Sequence, residues 1–199
     1  MDVRPLGIPQ AWVVDPVVHA DSRGEFLELF RGDLLAEATG RRLDTVQVNL
    51  STSPRGTVRG LHYADVPPGQ AKYVTAVAGS VLDVLVDLRV GSPTFGHVEY
   101  IELDAGTHRA VFVPEGVGHL FAVTSEHATV CYLASDIYRP ESEHPISPLD
   151  PAIGILLPEI GEPILSPRDS QAPTLAAALE SGLLPSWDAC QARYAALAE

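Results

Sequence analysis

Three side chains of this protein have the chemistry needed to move a proton next to a carbonyl group: His62, Lys72 and Tyr132. Lys72 is the single lysine among 13 Lys and Arg residues, and it shares the stretch TVRGLHYADVPPGQAKYV (57–74) with His62. Such a reaction needs a base active near pH 7, a cation on the developing enolate oxygen, and an acid that returns the proton. The residue types therefore suggest proton-transfer chemistry.

Each of the three side chains also has an ordinary structural explanation. His62 could be a hydrogen-bonded core histidine, Tyr132 a packed ring, and Lys72 a stem that lies along apolar surface with its amine in water. A single lysine is also compatible with a GC-rich genome. The residue types alone leave these alternatives open.

Other kinds of site lack the residues they need. The segment PEGVGH (114–119) has the P-x-G-x-x-H form of the second half of the cupin metal motif, but Tyr63 and Ala64 follow His62, where the first half would supply a second histidine. A metal site needs three or four converging ligands, so no metal is expected. No G-x-S-x-G, G-x-G-x-x-G or P-loop sequence is present, which argues against a serine nucleophile and a Rossmann cofactor.

Composition excludes several classes of partner. The net charge is −13 and the pI is near 4.8, so the chain lacks the clustered cations that attract nucleic acid or anionic membranes. No apolar run reaches the roughly 18 residues of a membrane span. The N-terminus, MDVRPLGIPQAW, lacks the pattern of a secretory leader, so a cytoplasmic protein is expected.

Short apolar or alternating segments fill the chain from Phe26 to Leu133, separated by connectors rich in Gly, Pro and Asp. This rhythm predicts an antiparallel all-β sandwich or barrel. In Ser80–Arg89, alternation places Leu82, Val84, Val86 and Leu88 on a face that meets a core, and Asp83, Asp87 and Arg89 on a face that meets water or a polar cavity.

Helices are expected only at the margins of this β region. The segment 33–39 predicts a short helix with Asp33 as its N-cap and Gly40 at its end, and two further helices are expected from about Pro173 and from about Ser186. The whole chain, 1–199, is predicted to be one domain: a barrel over about 26–138, a wrapping loop over 139–167, and a helical tail over 173–199.

Many blocks of the sequence, in order, resemble the dTDP-4-dehydrorhamnose 3,5-epimerase family. The resemblance covers about residues 5–185 and includes DSRGEFLELF (21–30), VQVNLSTS (46–53), VRGLHY (58–63), QAKYV (70–74), VFVPEGVGHLF (111–121), CYLASDIYRPESE (131–143) and LSPRDSQAPTL (165–175). It implies a metal-free and cofactor-free jelly-roll barrel of cupin type, usually a homodimer that exchanges N-terminal strands. The implied substrate is dTDP-4-keto-6-deoxyglucose.

The resemblance also implies roles for individual residues. His62 corresponds to the general base, Asp169 to its partner, Lys72 to the cation on the C4 oxygen, and Tyr132 to the acid opposite the base. The implied substrate-binding residues are His119 near the sugar, and, toward the nucleotide and diphosphate, Arg23, Glu28, Gln47, Asn49, Arg59, Tyr138 and Glu143. In a strand-exchanged dimer, some of these would serve the neighbouring subunit.

These roles conflict with simple strand alternation at one point. Alternation places Arg59 and His62 on opposite faces of a strand, although both are expected to reach one pocket. A bulge would resolve the conflict, and Gly60 is the residue that tolerates one. We therefore predict an irregularity at Gly60.

Two features leave the number of epimerised carbons open. The forms QAKYVT and FVPEGVGHLF differ from the common rhamnose-pathway pattern and are more similar to antibiotic-pathway relatives, some of which epimerise one carbon. The expected activity is 3,5-epimerisation giving dTDP-4-keto-L-rhamnose. The alternatives are mono-epimerisation at C3 or C5, a non-catalytic sugar-nucleotide-binding barrel, and a metal-dependent cupin oxygenase.

Overall fold

The computed structural model describes residues 1–198 as a mostly β protein with short helices. The strands are β1 (Asp2–Pro5), β2 (Trp12–Asp15), β3 (Val18–Asp21), β4 (Gly24–Leu27), β5 (Gln47–Pro54), β6 (Val58–Ala64), β7 (Lys72–Ala78), β8 (Ser80–Asp87), β9 (Val98–Asp104), β10 (Ala110–Val113), β11 (Val117–Val123), β12 (His127–Ala134) and β13 (Glu143–Pro145). The helices are α1 (Gly32–Thr39), α2 (Pro167–Ser170), α3 (Leu175–Glu180) and α4 (Trp187–Leu197). Within this described part of the chain, no helix is long and apolar enough to cross a bilayer.

Two antiparallel sheets form the body of the protein. The six-stranded sheet has the order β1-β2-β10-β7-β12-β5, and the five-stranded sheet has the order β13-β6-β11-β8-β9. Strands β3 and β4 form a separate two-stranded ribbon. The predicted all-β jelly roll is confirmed, in the form of two facing sheets that hydrogen bonds do not join into a closed barrel.

Three apolar clusters hold these layers together. The first lies between the sheets and combines Val74 and Val130 of the six-stranded sheet with Leu85 and Phe121 of the five-stranded sheet. The second covers the outer face of the five-stranded sheet with residues from the segment 146–184. The third packs α1, through Leu35, against the outer face of the six-stranded sheet. Each sheet thus has an outer face that is covered over at least part of its width and an inner face turned toward its partner.

Strand β8 shows how alternation serves both faces of its sheet. Val84, Val86 and Leu88 pack in the outer cluster, as predicted. Asp83 and Asp87 lie on the inner face and are fully buried, so these carboxylates lie in the interior, beside the apolar cluster, and not in bulk water. The strand therefore supplies buried carboxylates to the space between the sheets.

Three of the four helices, α1, α3 and α4, follow the predicted pattern, with one correction at the start of α1. Helix α1 begins at Gly32 with Arg31 at the N-cap, so the prediction of Asp33 as N-cap is wrong. The Asp33 carboxylate instead pairs with the Arg31 guanidinium at 2.6 Å. Gly40 ends the helix with φ 75°, as predicted, and α3 and α4 start after the capping hydroxyls of Thr174 and Ser186.

A buried ion pair links the segment after α1 to the turn before β11. Arg41 Nη1 lies 2.7 Å from Glu115 Oε2, and both side chains are almost fully buried. The Arg41 guanidinium also lies 4.9 Å and 4.8 Å from the ring centroids of Phe112 and Tyr194. The Tyr194 hydroxyl of α4 donates a hydrogen bond to the Glu115 carbonyl. This contact connects α4 to the strand that carries His119.

We expect Glu115→Gln to destabilise the protein by about 3–5 kcal/mol, because the substitution leaves the buried Arg41 charge without a partner. The midpoint of urea unfolding measures this loss. Asp2→Asn is the matched control, because Asp2 pairs with Arg4 at the exposed surface and should change the midpoint little. Equal midpoints for the two variants would contradict a stabilising role for the buried pair.

Candidate active site

A cavity of about 570 Å³ opens between the two sheets. One wall belongs to the six-stranded sheet and carries Lys72 and Tyr132, and the opposite wall belongs to the five-stranded sheet and carries His62 and His119. The remaining lining residues are Ser51, Thr52, Ser53, Pro54, Thr57, Val58, Arg59, Phe121, Ile164, Leu165, Ser166, Arg168 and Asp169. The two histidines thus face Lys72 and Tyr132 across one polar cavity.

His62 and Asp169 form a hydrogen-bonded pair in this cavity. Asp169 Oδ1 lies 2.6 Å from His62 Nε2, and the two side chains are 4% and 27% exposed. Burial raises the pKa of Asp169, but hydrogen bonds, first of all from His62, outweigh burial and leave that pKa below its usual value. An ionised carboxylate on Nε2 keeps the proton there and leaves the imidazole lone pair on Nδ1.

Helix α2, which the sequence did not predict, holds Asp169 in place. Ser166 is its N-cap, and the serine hydroxyl accepts a hydrogen bond of 3.1 Å from the Asp169 amide. Pro167 follows at the first helical position, where its missing N–H costs nothing. The signal was present in the sequence as SPRD, a capping serine followed by proline, but four residues are too few for a periodic pattern.

The predicted irregularity at Gly60 is confirmed. His62 pairs with His119 and Arg59 pairs with Phe121, so β6 has one more residue than β11 between these two positions. Gly60 adopts φ 117°, and a Cβ there would lie 2.5 Å from the His119 carbonyl oxygen. The bulge turns both Arg59 and His62 toward the cavity, which regular alternation would prevent.

Lys72 and Tyr132 come from adjacent strands of the opposite wall. Lys72 pairs with Ala134 of β12, and Tyr132 pairs with Val74 of β7. Burial lowers the pKa of Lys72, while the charges of Glu143 and Asp83 act in the other direction. Burial, supported by the charge of Glu143, raises the pKa of Tyr132 and keeps its hydroxyl protonated near neutral pH. The wall therefore carries a proton donor next to a half-buried lysine.

His119 forms a second histidine–aspartate pair, beside the first. Its Nε2 lies 2.7 Å from Oδ2 of Asp83, whose side chain is fully buried. Asp83 was recognised from the sequence only as part of a polar strand face and not as a site residue. The pairing could not be found from the sequence, because β8 and β11 meet only through the tertiary fold.

Five of the seven predicted nucleotide-binding residues lie in or near the cavity, in three groups. Arg59 lines the cavity, where its Nε donates to Ser53 Oγ at 3.1 Å. Gln47 and Asn49 lie on the inward row of β5 and share a hydrogen bond of 2.8 Å, but they do not line the same cavity. Two further residues, Tyr138 and Glu143, are joined to the cavity by Arg168.

Arg168 is a cavity residue that sequence reasoning missed. Its guanidinium donates to the Tyr138 hydroxyl at 3.1 Å and to the Glu143 carbonyl at 2.5 Å. It therefore ties α2, which carries Asp169, to β13 and to the segment before it. Its position next to Asp169 in LSPRDS was the available signal.

Arg23 and Glu28 lie outside this cavity. Arg23 lies in the turn at the tip of the β3–β4 ribbon, where its side chain is 88% exposed and pairs with Asp21 at 2.5 Å. Glu28 lies just after the ribbon and pairs with Arg31 at 3.0 Å. Within one chain, the structure does not bring these two predicted residues to the site.

The cavity has the layout of a proton-transfer site. A hydrogen-bonded histidine on one wall faces a protonated tyrosine and a lysine on the other, so a flat intermediate between them could lose a proton to one side and gain one from the other. Among residues 1–198, no three His, Cys, Asp or Glu side chains converge as metal ligands.

Comparisons with known proteins agree on one family. A family model described as dTDP-4-dehydrorhamnose 3,5-epimerase matches residues 5–177. The chain is 54% identical over 192 residues to a dTDP-4-dehydrorhamnose 3-epimerase of Streptomyces niveus, covering 96% of this chain and 92% of the relative. It is 49% identical over 192 residues to a dTDP-4-dehydrorhamnose 3,5-epimerase of Mycolicibacterium smegmatis, with 96% and 94% covered.

A solved structure extends this similarity to the fold. A 3'-monoepimerase of Streptomyces bikiniensis, in complex with dTDP-quinovose, superimposes with a TM-score of 0.95 at 47% identity. The match covers 98% of each chain.

Proposed function

The chain belongs to the dTDP-4-dehydrorhamnose 3,5-epimerase family, and on that premise we propose that its cavity epimerises dTDP-4-keto-6-deoxy-D-glucose at C3 and C5 to give dTDP-4-keto-L-rhamnose. The observation that carries the proposal is the His62–Asp169 pair facing Lys72 and Tyr132 across one cavity. The C4 ketone acidifies the hydrogens on both neighbouring carbons. The reaction removes and returns protons without a net redox change, so it needs no redox cofactor.

The proposed mechanism assigns proton removal to one wall of the cavity, and stabilisation of the enolate and return of a proton to the other. His62 Nδ1 takes the proton from C3 or C5, and the ionised Asp169 stabilises the imidazolium that forms. The electron pair moves onto the C4 oxygen, where the Lys72 ammonium stabilises the enolate. Tyr132 then donates its hydroxyl proton to the opposite face of the same carbon, which inverts that centre. The separation of base and acid on facing sheets supports inversion over simple exchange.

The rest of the substrate is proposed to extend along the inner polar row of β5. Among residues 1–198, the Arg59 guanidinium has one hydrogen bond, through its Nε, so its terminal nitrogens can bind the diphosphate. His119 is proposed to contact the sugar, and Gln47, Asn49, Tyr138 and Glu143 to line the nucleotide end. A relative bound to dTDP-quinovose supports a dTDP-sugar as the ligand class.

Deuterium exchange tests this function directly. The protein is incubated with dTDP-4-keto-6-deoxyglucose in D₂O, and NMR follows deuterium at C3 and C5. Incorporation at both carbons is the expected result. Exchange at neither carbon would overturn both the proposed reaction and the single-carbon alternative.

A second candidate is epimerisation at C3 alone. The 54% identical relative carries the name of a 3-epimerase, which favours this alternative. The same experiment distinguishes the two candidates, because a 3-epimerase incorporates deuterium at C3 and leaves C5 protonated.

We further propose a homodimer in which the β3–β4 ribbon joins the neighbouring subunit. Strand β5 is the edge of its sheet, and it exposes an outward row in which Val48 and Leu50 are 62% and 67% exposed. The ribbon is exposed as well, and Phe26 on it is 67% exposed. An apolar open edge and a detached ribbon each lack the cover that a stable sheet needs. In such a dimer, Arg23 and Glu28 would serve the partner's cavity.

Mixing two inactive variants tests this arrangement. If Arg23 serves the partner's site, a hybrid of Arg23→Ala and His62→Asn subunits contains one intact site out of two. Random reassociation of equal amounts makes half of the dimers hybrid, so activity should return to about a quarter of the wild-type value. Activity is measured after joint unfolding and refolding.

The control for this test mixes His62→Asn with Lys72→Met. Both residues are proposed to act within one chain's cavity, so their hybrids contain no intact site and should remain inactive. Recovery in the control, or none in the Arg23→Ala mixture, would contradict the exchange.

The compartment that we propose is the cytoplasm. Both cysteines, Cys131 and Cys190, are free thiols. A reducing compartment is where free thiols are usual.

A further inference from the structure

Asp83 presents a feature that the proposed mechanism does not use. Its carboxylate lies on the inner face of β8 and is fully buried. Oδ2 accepts a hydrogen bond from His119 Nε2 at 2.7 Å. In the part of the chain that the structure describes, Oδ1 is also buried and has no hydrogen-bond partner. A buried carboxylate with a free oxygen is costly, so it points to a charge nearby that offsets the cost.

Lys72 of the facing sheet is the candidate for that charge, because it lines the same cavity as His119, to which Asp83 is hydrogen-bonded. The charges of Asp83 and Glu143 both favour the protonated amine, against the burial that lowers the pKa of Lys72. The other titratable or charged groups of the same cavity are His62 and Arg59 on β6, His119 on β11, Tyr132 on β12, and Arg168 and Asp169 on α2. Of the carboxylates near Lys72, Asp169 is bonded to His62, which leaves Asp83 and Glu143 as its counter-charges.

We propose that Asp83 is a positioning residue for both walls of the site: its Oδ2 fixes the His119 ring, and its buried, unpaired Oδ1 provides the fixed negative charge that keeps Lys72 an ammonium ion. The first half of this role rests on the hydrogen bond, and the second on the buried Oδ1 and on the cavity that His119 and Lys72 share. The link to catalysis rests on the proposed function. The link to the protonation of Lys72 does not.

Asp83→Asn removes the negative charge of the side chain but keeps its size and shape. The amide oxygen of asparagine can still accept from His119 Nε2, but the negative charge is gone. Lys72 then loses one of the two charges that favour its protonated form. The pKa of Lys72 should therefore fall further. As the pH is raised, the variant should begin to lose activity at a lower pH than the wild type does.

The composition of the chain allows a direct measurement. Because Lys72 is the single lysine, a tag-free protein labelled with ¹³C-lysine gives one Cε signal, and its chemical shift reports protonation of this amine alone. We expect the titration midpoint in Asp83→Asn to lie below that of the wild type by on the order of one pH unit or more. The pH at which kcat falls on the alkaline side of its pH profile should decrease as well.

Asp87→Asn is the matched control for this measurement. Asp87 is a fully buried carboxylate on the same face of the same strand, but it bonds to Arg89, Ser92 and Thr94. This variant should leave the lysine midpoint unchanged if the proposal is right, whatever it does to stability. An equal shift in both variants, or none in Asp83→Asn, would overturn the proposal.

A second variant covers the case in which the asparagine protein does not fold. Asp83→Glu keeps the charge but displaces the oxygen from His119, so it should retain the lysine midpoint while lowering kcat. A lowered midpoint in this variant also counts against the proposal. A lysine shift without any epimerase activity would overturn the proposed function and leave the role of Asp83 toward Lys72 standing.

Discussion

Replacing His62 with asparagine is expected to lower kcat by about 10³-fold and to abolish deuterium incorporation at C3 and C5. The imidazole Nδ1 is the proposed base, and an amide nitrogen has no lone pair basic enough to replace it. The asparagine NH₂ group can still donate to Asp169, whose carboxylate is otherwise bonded to His62 Nε2 at 2.6 Å. The loss should therefore reflect the missing base and not a collapsed site.

His144→Asn is the matched control for this variant. His144 also bonds to an aspartate, with Nε2 lying 2.8 Å from Asp65 Oδ1, but it does not line the cavity. Its replacement should keep kcat within a few-fold of the wild-type value. Wild-type exchange rates in His62→Asn would show that another group removes the proton.

Lys72→Met is expected to lower kcat by about 10²–10³-fold, with a much smaller change in KM. Methionine fills the volume of the lysine stem but carries no charge, so the developing negative charge on the C4 oxygen is no longer stabilised. The ketone of the bound substrate carries little charge before proton removal, which is why kcat should suffer more than KM.

The pH profile gives this prediction a second measurement. Burial lowers the pKa of Lys72 from its ordinary value of 10.5. The wild-type enzyme should therefore lose activity as the pH rises through this lowered pKa, because the neutral amine no longer stabilises an enolate. In Lys72→Met the residual activity should not show this alkaline loss.

Lys72→Arg distinguishes charge from shape at the same position. The guanidinium keeps a positive charge but is a planar fork larger than an ammonium ion, so recovery of kcat should be partial. A methionine variant within tenfold of the wild-type kcat would show that Lys72 is not the enolate-stabilising cation.

Local patterns in the sequence account for much of the fold. Alternation in β8 predicted which residues pack in the outer cluster, because the side-chain period of a strand depends only on its own backbone. Gly40 ended α1 as expected, since a left-handed conformation favours glycine. The N-cap prediction failed because Asp33 found a closer partner in Arg31.

The irregular strand at the site was predictable for a different reason. Arg59 and His62 had to share a pocket, and Gly60 was the residue between them that permits a bulge. This inference needed the roles implied by family resemblance. The residue types by themselves would have predicted a regular ladder, with one of the two side chains turned away.

The sequence by itself determined the β architecture, the residue types able to transfer protons, and the family that assigns their roles. Only the tertiary structure decided which charges share the buried space. Asp169 lies 107 positions from His62, and the two meet where a four-residue helix packs against β6. Asp83 lies 36 positions from His119, and the two meet because β8 and β11 are neighbours in one sheet. Strand period and turn preference depend on neighbours along the chain. Protonation of a buried group such as Lys72 depends on charges and burial from every element around it, which no local pattern records.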